Sequence, residues 1–175
     1  MSTDRPERPP EAAEVLWEGK YIRTIRQGRW EYVGRVNQVR AVAILAEFEG
    51  KLILIDQPRA AVGGQCLELP AGLVGDEDPN ATIEDTAIKE LEEEAGFTAE
   101  RIERLGDFQS SPGMVSESFT LVRAHGVRRC GEGGGTPEED INVHLVPRAE
   151  IPEFVATKRA QGFAIDVKLM LFLNF

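Results

Sequence analysis

The sequence predicts an α/β protein, an α/β/α sandwich with a mixed sheet that follows an N-terminal antiparallel β-hairpin. Two observations support this prediction: strand-like segments are interleaved with two main helical regions, and two of the strand-like runs are apolar almost throughout. The chain has 175 residues, of which 42% are hydrophobic, enough for one domain with a substantial core. We expect a disordered tail at residues 1–12, an N-terminal strand segment at 13–37 and the main domain at 38–175.

The first third of the chain contains two predicted hairpins. Trp17–Ile25 and Trp30–Val33 are strand-like segments on either side of a turn around Gly28. Val39–Ala46 and Lys51–Asp56 form a second pair across a short Glu-Phe-Glu-Gly turn. Because the second pair is β-branched or aliphatic along nearly its whole length, we expect both of its faces to be buried.

A helix is predicted from Thr82 to Ala95. Thr82 and Asp85 have the spacing of a capping box, and Gly96 is suited to end the helix. The later elements are strands near Arg101–Phe108, Ser118–Ala124 and Asn142–Pro147, a mobile Gly-rich loop at Cys130–Pro137, and helices at Arg148–Gln161 and Asp166–Asn174 separated by Gly162.

Three carboxylates share one face of this helix. Glu90, Glu93 and Glu94 have i, i+3, i+4 spacing in the last turn, where negative charge opposes the helix dipole and like charges repel. An acidic run is usually a solvated face, but here an apolar stripe that includes Ala87 and Leu91 adjoins it, so the helix packs on one side. Carboxylate oxygens on a rigid element suit Mg²⁺ or Mn²⁺, and we therefore expect a metal site.

Composition excludes some classes of function. The net charge of −10 argues against nucleic-acid binding, which needs a basic surface. No apolar run is long enough to cross a bilayer, so we expect no membrane partner. Cys66 and Cys130 lack metal-ligand spacing, and we interpret them as free thiols in a reducing compartment, with the cytoplasm as the expected location.

The acidic helix resembles the second half of the Nudix box, G-x5-E-x7-R-E-U-x-E-E-x-G-U, where U is a bulky apolar residue. The run Glu90–Phe97 matches every specified position. Lys89 stands where the family has arginine, which keeps the charge but loses the planar fork that binds a carboxylate with two hydrogen bonds. The resemblance implies the Nudix fold, which is also an α/β/α sandwich.

The first half of the box departs from the family pattern. Counted from Gly72, it is three residues too long, so Ala81 occupies the position of the early glutamate. Either Glu77 or Asp78, within the enlarged loop Gly75–Asn80, is a candidate to replace that glutamate.

Other stretches resemble the ADP-ribose pyrophosphatase branch of the family. Pro112, followed by Gly113, lies sixteen residues beyond Gly96, as a proline does in that branch, although Pro-Gly is also a common turn pair. Trp30 resembles the N-terminal aromatic residue that stacks on adenine, and packing in a core or dimer interface is almost as consistent with it. Arg59 resembles the arginine near the phosphates, although such strand-end arginines are most often surface charges.

The segment Pro137–His144 resembles the acidic loop that carries the general base in this branch. Such loops are usually only solvent-facing, but this one follows a Gly-rich stretch and leads directly into a predicted strand. Either Glu138 or Glu139 is the candidate base.

The resemblance implies a function and a set of ligands. Mg²⁺ or Mn²⁺ would be held by Glu90, Glu93, Glu94 and the carbonyl of Ala71, with Glu93 also counted as catalytic. The reaction would be hydrolysis of the pyrophosphate bond of a nucleoside diphosphate sugar, first of all ADP-ribose to AMP and ribose 5-phosphate. Two alternatives stay open: a different sugar nucleotide such as GDP-mannose, and a nucleotide-binding regulator without turnover.

The aromatic residues predict a homodimer. Every Trp and Tyr of the chain falls in the N-terminal strand segment, and a hairpin alone could not bury them all. We expect this segment to pack on a partner subunit and to contribute to binding of the nucleotide base.

Overall fold

The computed structural model of the chain describes residues 11–37, 39–76, 78–136 and 139–173. Its α-helices are α1 (Ile83–Ala95) and α2 (Ile151–Ala160), and short 3₁₀ helices cover Ala60–Val62, Arg148–Glu150 and Val167–Phe172. Its strands in chain order are β1 (Glu14–Glu18), β2 (Ile22–Gln27), β3 (Trp30–Arg35), β4 (Arg40–Leu45), β5 (Glu47–Phe48), β6 (Lys51–Arg59), β7 (Gly64–Glu68), β8 (Ala71–Val74), β9 (Phe97–Thr98), β10 (Arg101–Gln109), β11 (Ser118–His125), β12 (Arg128–Arg129), β13 (Asn142–Pro147) and β14 (Ala164–Ile165).

Two mixed sheets lie between the helices. One has the strand order β10-β11-β4-β8 and the other β13-β6-β7-β14. Strand β11 runs parallel to β4 and β14 runs parallel to β7, whereas the other neighbours in these two sheets are antiparallel. The short strand β5 pairs with β6, and β9 pairs with β12. The predicted α/β/α sandwich with a mixed sheet is confirmed.

Alternation along β4 divides the core between the two helices. Val42 and Ile44 belong to the cluster that contains the apolar stripe of α1, including Leu91. Ala43 and Leu45 belong to a second cluster, which contains the buried residues of α2. Both faces of β4 and of β6 are therefore buried, as their uniformly apolar sequences predicted.

The N-terminal segment differs from its prediction. A single strand over Trp17–Ile25 is wrong, because the chain turns at Gly19 and forms the antiparallel sheet β1-β2-β3 instead of a hairpin. The N–H of Gly19 donates to the carbonyl of Ile22 (2.9 Å), and a Cβ at Gly19 would lie 2.5 Å from the Trp17 ring. Glycine is thus needed for the ring to fold over the turn.

The second predicted hairpin is also wrong in its pairing. Strands β4 and β6 belong to different sheets, and the chain folds back only at β5, where Glu49 and Gly50 have the positive φ angles of a tight turn. Uniform burial describes each strand correctly but carries no information about which strand lies beside it.

The helices follow the prediction most closely at α1. Thr82 caps α1 and forms the predicted capping box with Asp85, and Gly96 ends the helix in the left-handed conformation. The C-terminal helices are shorter than predicted: α2 follows a 3₁₀ turn, and the segment after Asp166 is a 3₁₀ helix rather than an α-helix. Within the residues that the model describes, no helix is both long and apolar enough to span a membrane.

Candidate active site

The side chain of Glu90 lies directly against the backbone of β8. A Cβ at Gly72 would be 1.9 Å from Glu90 Oε1, so any larger residue at this position would displace the carboxylate. Gly72 pairs with Val42 of β4, which fixes β8 in place beneath the helix. The absence of a side chain at Gly72 therefore makes room for the carboxylate of Glu90.

Glu94 reaches the same strand from the next turn of α1. Ala71 pairs with Ala43, and because Ile44 donates to the carbonyl of Pro70 (2.8 Å), the N–H of Ala71 is directed away from β4. That N–H donates to Glu94 Oε2 at 2.9 Å. The N–H and C=O of a strand residue point to the same edge, so the Ala71 carbonyl is directed to the side where the glutamates lie.

Burial makes Glu94 unusual among the box glutamates. The residue is only 8% exposed, and this burial, together with the negative charge of Glu90, raises the pKa of Glu94 to about 8 against the opposing effect of the Ala71 N–H. Glu93 is exposed, and its carboxylate lies 3.5 Å from Lys89 Nζ, one turn earlier. The lysine that replaces the family's arginine thus pairs within the helix.

The chemistry of these residues fits a divalent cation. Their donors are carboxylate oxygens, which Mg²⁺ and Mn²⁺ prefer. Glu94 is buried beside a second carboxylate and accepts a hydrogen bond from a neutral amide, the N–H of Ala71. A cation between Glu90 and Glu94 would neutralise a charge that the protein alone accommodates poorly.

The glutamates line a cleft of about 680 Å³ that also contains other predicted site residues. Ala71, Arg59 and Glu139 all contribute to its walls. Arg59 donates from Nε and Nη2 to the two oxygens of Glu68, each at 2.8 Å. This fork holds the guanidinium at the cleft although its side chain is 45% exposed.

Sequence reasoning missed Glu68, which is almost fully buried. A charged residue between Leu67 and Leu69, in a run otherwise typical of a buried strand, was the available signal. Such a residue needs a partner of opposite charge, and Arg59 on the neighbouring strand β6 supplies it.

The Gly-rich segment is docked on the C-terminal end of α1. The N–H groups of Gly134 and Gly135 donate to the carbonyls of Glu94 (2.8 Å) and Glu93 (2.9 Å). Gly96 and Gly133 touch through their backbones, since a Cβ on either would lie 2.6 Å or less from backbone atoms of the other segment. The prediction of a mobile loop therefore overlooked the carbonyls at the helix end, which need donors.

Glu139 follows this docked segment and faces the cleft. Its Oε2 accepts a hydrogen bond from the N–H of Thr136 (2.7 Å). Glu138, the other candidate base, and Glu77, a candidate for the early box glutamate, lie outside the described residues. Asp78 lines the cleft, and its Oδ1 accepts from the N–H of Asn80 (2.9 Å), so it also closes a turn in the enlarged loop.

Three of the predicted substrate-binding residues lie together, but not in this cleft. Trp30, Pro112 and Gly113 line a separate cavity of about 430 Å³, together with Tyr32. Neighbouring backbone bonds join the two segments: Val33 donates to Met114 and accepts from Ser116, each at 2.9 Å. Trp30 is 54% exposed.

Comparison with known proteins identifies the fold and the family of this chain. A solved structure titled "Crystal structure of ADP compounds hydrolase" superimposes with a TM-score of 0.68 and 20% identity, over 92% of this chain and 89% of that chain, which establishes the shared fold. A "Methanol dehydrogenase activator" of Bacillus methanolicus is 36% identical over 68% of this chain. A "GDP-mannose pyrophosphatase" of Cronobacter sakazakii is 33% identical over 77% of this chain and 70% of its own length.

The sequence match to the Bacillus methanolicus protein spans only 64% of that protein's length. A "Putative nudix hydrolase 2" of Caenorhabditis elegans is 28% identical over 91% of this chain and 81% of its own length. The family model of the NUDIX domain matches residues 36–164, which include α1, the acidic cleft and both mixed sheets except Ile165 at the end of β14. This chain therefore belongs to the Nudix family.

Proposed function

We propose that this protein hydrolyses the pyrophosphate bond of a nucleoside diphosphate sugar, with a divalent metal ion as cofactor. The leading candidate substrate is ADP-ribose, which would give AMP and ribose 5-phosphate. The observation that supports this most directly is the packing of Glu90 and Glu94 on Ala71 and Gly72, in a cleft that also contains Arg59 and Glu139.

The metal would be held by Glu90, Glu93, Glu94 and the carbonyl of Ala71. When bound, Mg²⁺ or Mn²⁺ offsets the negative charge of the diphosphate and lowers the pKa of a coordinated water. The N–H of Ala71 orients the Glu94 carboxylate, and the absence of a side chain at Gly72 lets Glu90 lie beside it. These contacts hold Glu90 and Glu94 in place before any substrate arrives.

Glu139 is the proposed general base, with Glu138 as the alternative. The Thr136 N–H binds one oxygen of the Glu139 carboxylate, which leaves the other oxygen to accept a proton from the attacking water. The water oxygen forms a bond to one phosphorus while the bridging P–O bond breaks, so that two monophosphates leave. Arg59, held by Glu68, would counter the negative charge of the phosphates.

We further propose that residues 13–37 bind the base and form the interface of a homodimer. Trp30 shares a cavity with Pro112 and Gly113, whereas the carboxylate cleft contains none of these three. Val15, Trp17 and other apolar residues of the N-terminal sheet are about half exposed in one subunit. Large exposed aromatic residues are typical of interfaces and base-stacking sites.

Trp30→Ala separates the two roles of the tryptophan. If the ring stacks on adenine, KM for ADP-ribose should rise more than kcat falls, because stacking is similar in the ground and transition states. If the ring is only an interface anchor, sedimentation should show dissociation into monomers as the first effect. A wild-type monomer at micromolar concentration would contradict the proposed dimer.

GDP-mannose is the second candidate substrate, because relatives at 32–33% identity are named GDP-mannose pyrophosphatases. The relative named as an activator of another enzyme raises the possibility of a regulator without turnover. The three box glutamates are all present here, which favours catalysis over that alternative.

A substrate panel decides among these candidates. The protein is incubated with Mg²⁺ and ADP-ribose, GDP-mannose or other sugar nucleotides, and the products are identified by chromatography. Running the reaction in ¹⁸O-labelled water shows which phosphorus is attacked, because only one of the two monophosphates gains the label. Failure to hydrolyse any sugar nucleotide, with Mg²⁺ or with Mn²⁺, would contradict the proposed function.

A further inference from the structure

A second cluster of charged residues lies on the face of the sheet that packs against α2. The carboxylate of Asp56 is only 2% exposed, and its Oδ1 accepts from Asn142 Nδ2 at 2.9 Å. Its Oδ2 accepts from Lys158 Nζ at 2.7 Å and also contacts His144 Nε2. Two strands, β6 and β13, and the helix α2 are thereby joined at one carboxylate.

This cluster is adjacent in sequence to the walls of the acidic cleft. Gln57 follows Asp56 on β6 and points to the opposite face, where it lines the cleft together with Arg59. Asn142 is the first residue of β13 and comes three residues after Glu139. The hydrogen bond from Asn142 to Asp56 therefore fixes the chain just beyond the proposed base.

The intervening residues are held in a constrained conformation. Asp140 has a φ of +50°, and Glu49 in a tight turn is the only other non-glycine residue with a positive φ among the described residues. Ile141 is buried, and its Cδ1 lies 2.8 Å from where a Cβ on Gly135 would be. Aspartate adopts the left-handed region more readily than most residues, so this φ marks a turn, and the buried Ile141 fixes the chain that follows it.

The other end of the segment is also fixed. Gly134 and Gly135 donate to the carbonyls of Glu94 and Glu93, so this end is attached to the helix that carries the proposed metal ligands. Gly135 is therefore attached to α1, and Asn142 is attached to Asp56.

We propose that Asn142 is a positioning residue, which acts through its bond to Asp56 to hold the Glu139 carboxylate at the acidic cleft. This inference rests on the proposed function, in which Glu139 takes a proton from the attacking water. The side chain of Asn142 bonds to Asp56 on the face of the sheet opposite the cleft, so its proposed effect on Glu139 is indirect. The charge of Lys158 keeps Asp56 ionised, so that it remains a strong acceptor for Asn142.

The test compares two variants that each remove one contact to Asp56. Asn142→Ala removes the contact that leads to Glu139, whereas His144→Ala removes a contact from the same strand two residues further on. Turnover of ADP-ribose, or of the sugar nucleotide that the panel identifies, is measured at saturating Mg²⁺. We expect kcat to fall about tenfold or more in Asn142→Ala with KM nearly unchanged, and about threefold or less in His144→Ala.

A double-mutant cycle tests whether the effect passes through Glu139. In a Glu139→Gln background, Asn142→Ala should lower kcat by no more than about twofold, because the group that it positions is already inactive. Equal losses of kcat in Asn142→Ala and His144→Ala would indicate that the contacts to Asp56 have only a structural role, and would contradict the inference. Unchanged kcat in Asn142→Ala, or full additivity with Glu139→Gln, would equally overturn the inference.

Hydrogen exchange gives a readout that is independent of activity. The amides of residues 134–136 and 139–141 should exchange about tenfold faster in Asn142→Ala than in wild type, and at the wild-type rate in His144→Ala. If Glu139→Gln keeps full turnover, the proposed base is wrong and the catalytic part of the inference falls with it. If Glu139→Gln is impaired but Asn142→Ala changes neither kcat nor exchange, only the positioning role is wrong.

Discussion

Asp56 and Glu94 are both buried carboxylates, but they have opposite surroundings. Asp56 lies near α2 and is contacted by Asn142, His144 and Lys158, one of which carries a full positive charge. Burial alone would raise the pKa of Asp56, but the hydrogen bonds from Lys158, His144 and Asn142 outweigh it and keep the pKa below its usual value. Glu94 lies on α1, accepts from a neutral amide and has Glu90 beside it, and its pKa is about 8.

This difference in surroundings distinguishes a carboxylate that the protein itself neutralises from one that a bound cation would stabilise. The protein itself neutralises Asp56, so a cation from solution would gain little there. The Ala71 N–H and the charge of Arg59 lower the pKa of Glu94, but burial outweighs them, and a bound divalent ion would stabilise its charged form. Burial therefore does not distinguish the two carboxylates, whereas the charge of the contacting groups does.

The largest expected effect is that of Glu94→Gln on activity. Because a metal ion contributes several kcal/mol of charge stabilisation, we expect a loss of turnover of about 10³-fold. The metal-free fold should be intact, since glutamine can still accept from the Ala71 N–H. Thermal melts with and without Mg²⁺ test the metal-free fold and the binding of the ion. Glu92→Gln, on the exposed side of α1, is the control. Equal stabilisation of wild type and Glu94→Gln by Mg²⁺ would argue against a metal ligand at Glu94.

Lys158→Met should affect stability rather than metal binding. It leaves the Asp56 carboxylate buried without its charged partner, which costs about 3–5 kcal/mol of unfolding free energy. The control is Arg148→Met, which removes the exposed pair with Glu47 and should cost less than about 1 kcal/mol. Urea denaturation measures both. A similar small cost for the two variants would mean that Asp56 is less dependent on its partner than its burial indicates.

Gly72→Ala should weaken metal binding through Glu90 alone. The new Cβ would occupy the position of the carboxylate, so we expect Mg²⁺ affinity to fall about 10- to 100-fold. Gly64→Ala on β7 is the matched control, because among the described residues, its chain neighbours apart, no heavy atom lies within 4 Å of its Cβ position. Isothermal titration with Mn²⁺ measures the affinities. Wild-type Mn²⁺ affinity in Gly72→Ala would show that Glu90 can bind the ion from a different side-chain conformation.

The smallest expected effect is on the free energy of unfolding at acidic pH. Because the pKa of Asp56 is lowered in the folded state, its bonds stabilise the protein above the unfolded-state pKa of about 4, and this stability is lost as the pH falls below that value. The unfolding free energy of wild type should therefore fall more steeply between about pH 4 and pH 2 than that of Asp56→Asn. Parallel curves would indicate that other carboxylates account for the acid sensitivity.

Sequence reasoning predicted α1 well because every signal for it is local. The i, i+3, i+4 pattern, the capping box of Thr82 and Asp85, and the stop at Gly96 all lie within fifteen residues of one another. Local signals also indicated where most strands lie. They failed at Gly19, where strand-like residues on both sides concealed a turn.

Pairings between distant segments could not be predicted in the same way. The partners of β4 are β8 and β11, and apolar composition alone is equally consistent with the hairpin partner β6. Arg59 was singled out as a phosphate contact, but its fork to Glu68 depends on strand register. Asp56 carries no motif at all, since its partners are 86 to 102 residues away in the sequence.

That separation has a consequence for how the chain acquires its structure. During synthesis, Asp56 emerges long before Asn142, His144 and Lys158, and the parallel partner of β4 also emerges late. Burying β6 before those donors have been synthesised would cost free energy, because the carboxylate of Asp56 would be unpaired. We therefore expect the first two-thirds of the chain to fold only after the rest has been made. Contacts of such long range also favour slow folding. A fragment ending at residue 140 would contain every box glutamate, yet nothing to neutralise the carboxylate at the centre of its second sheet.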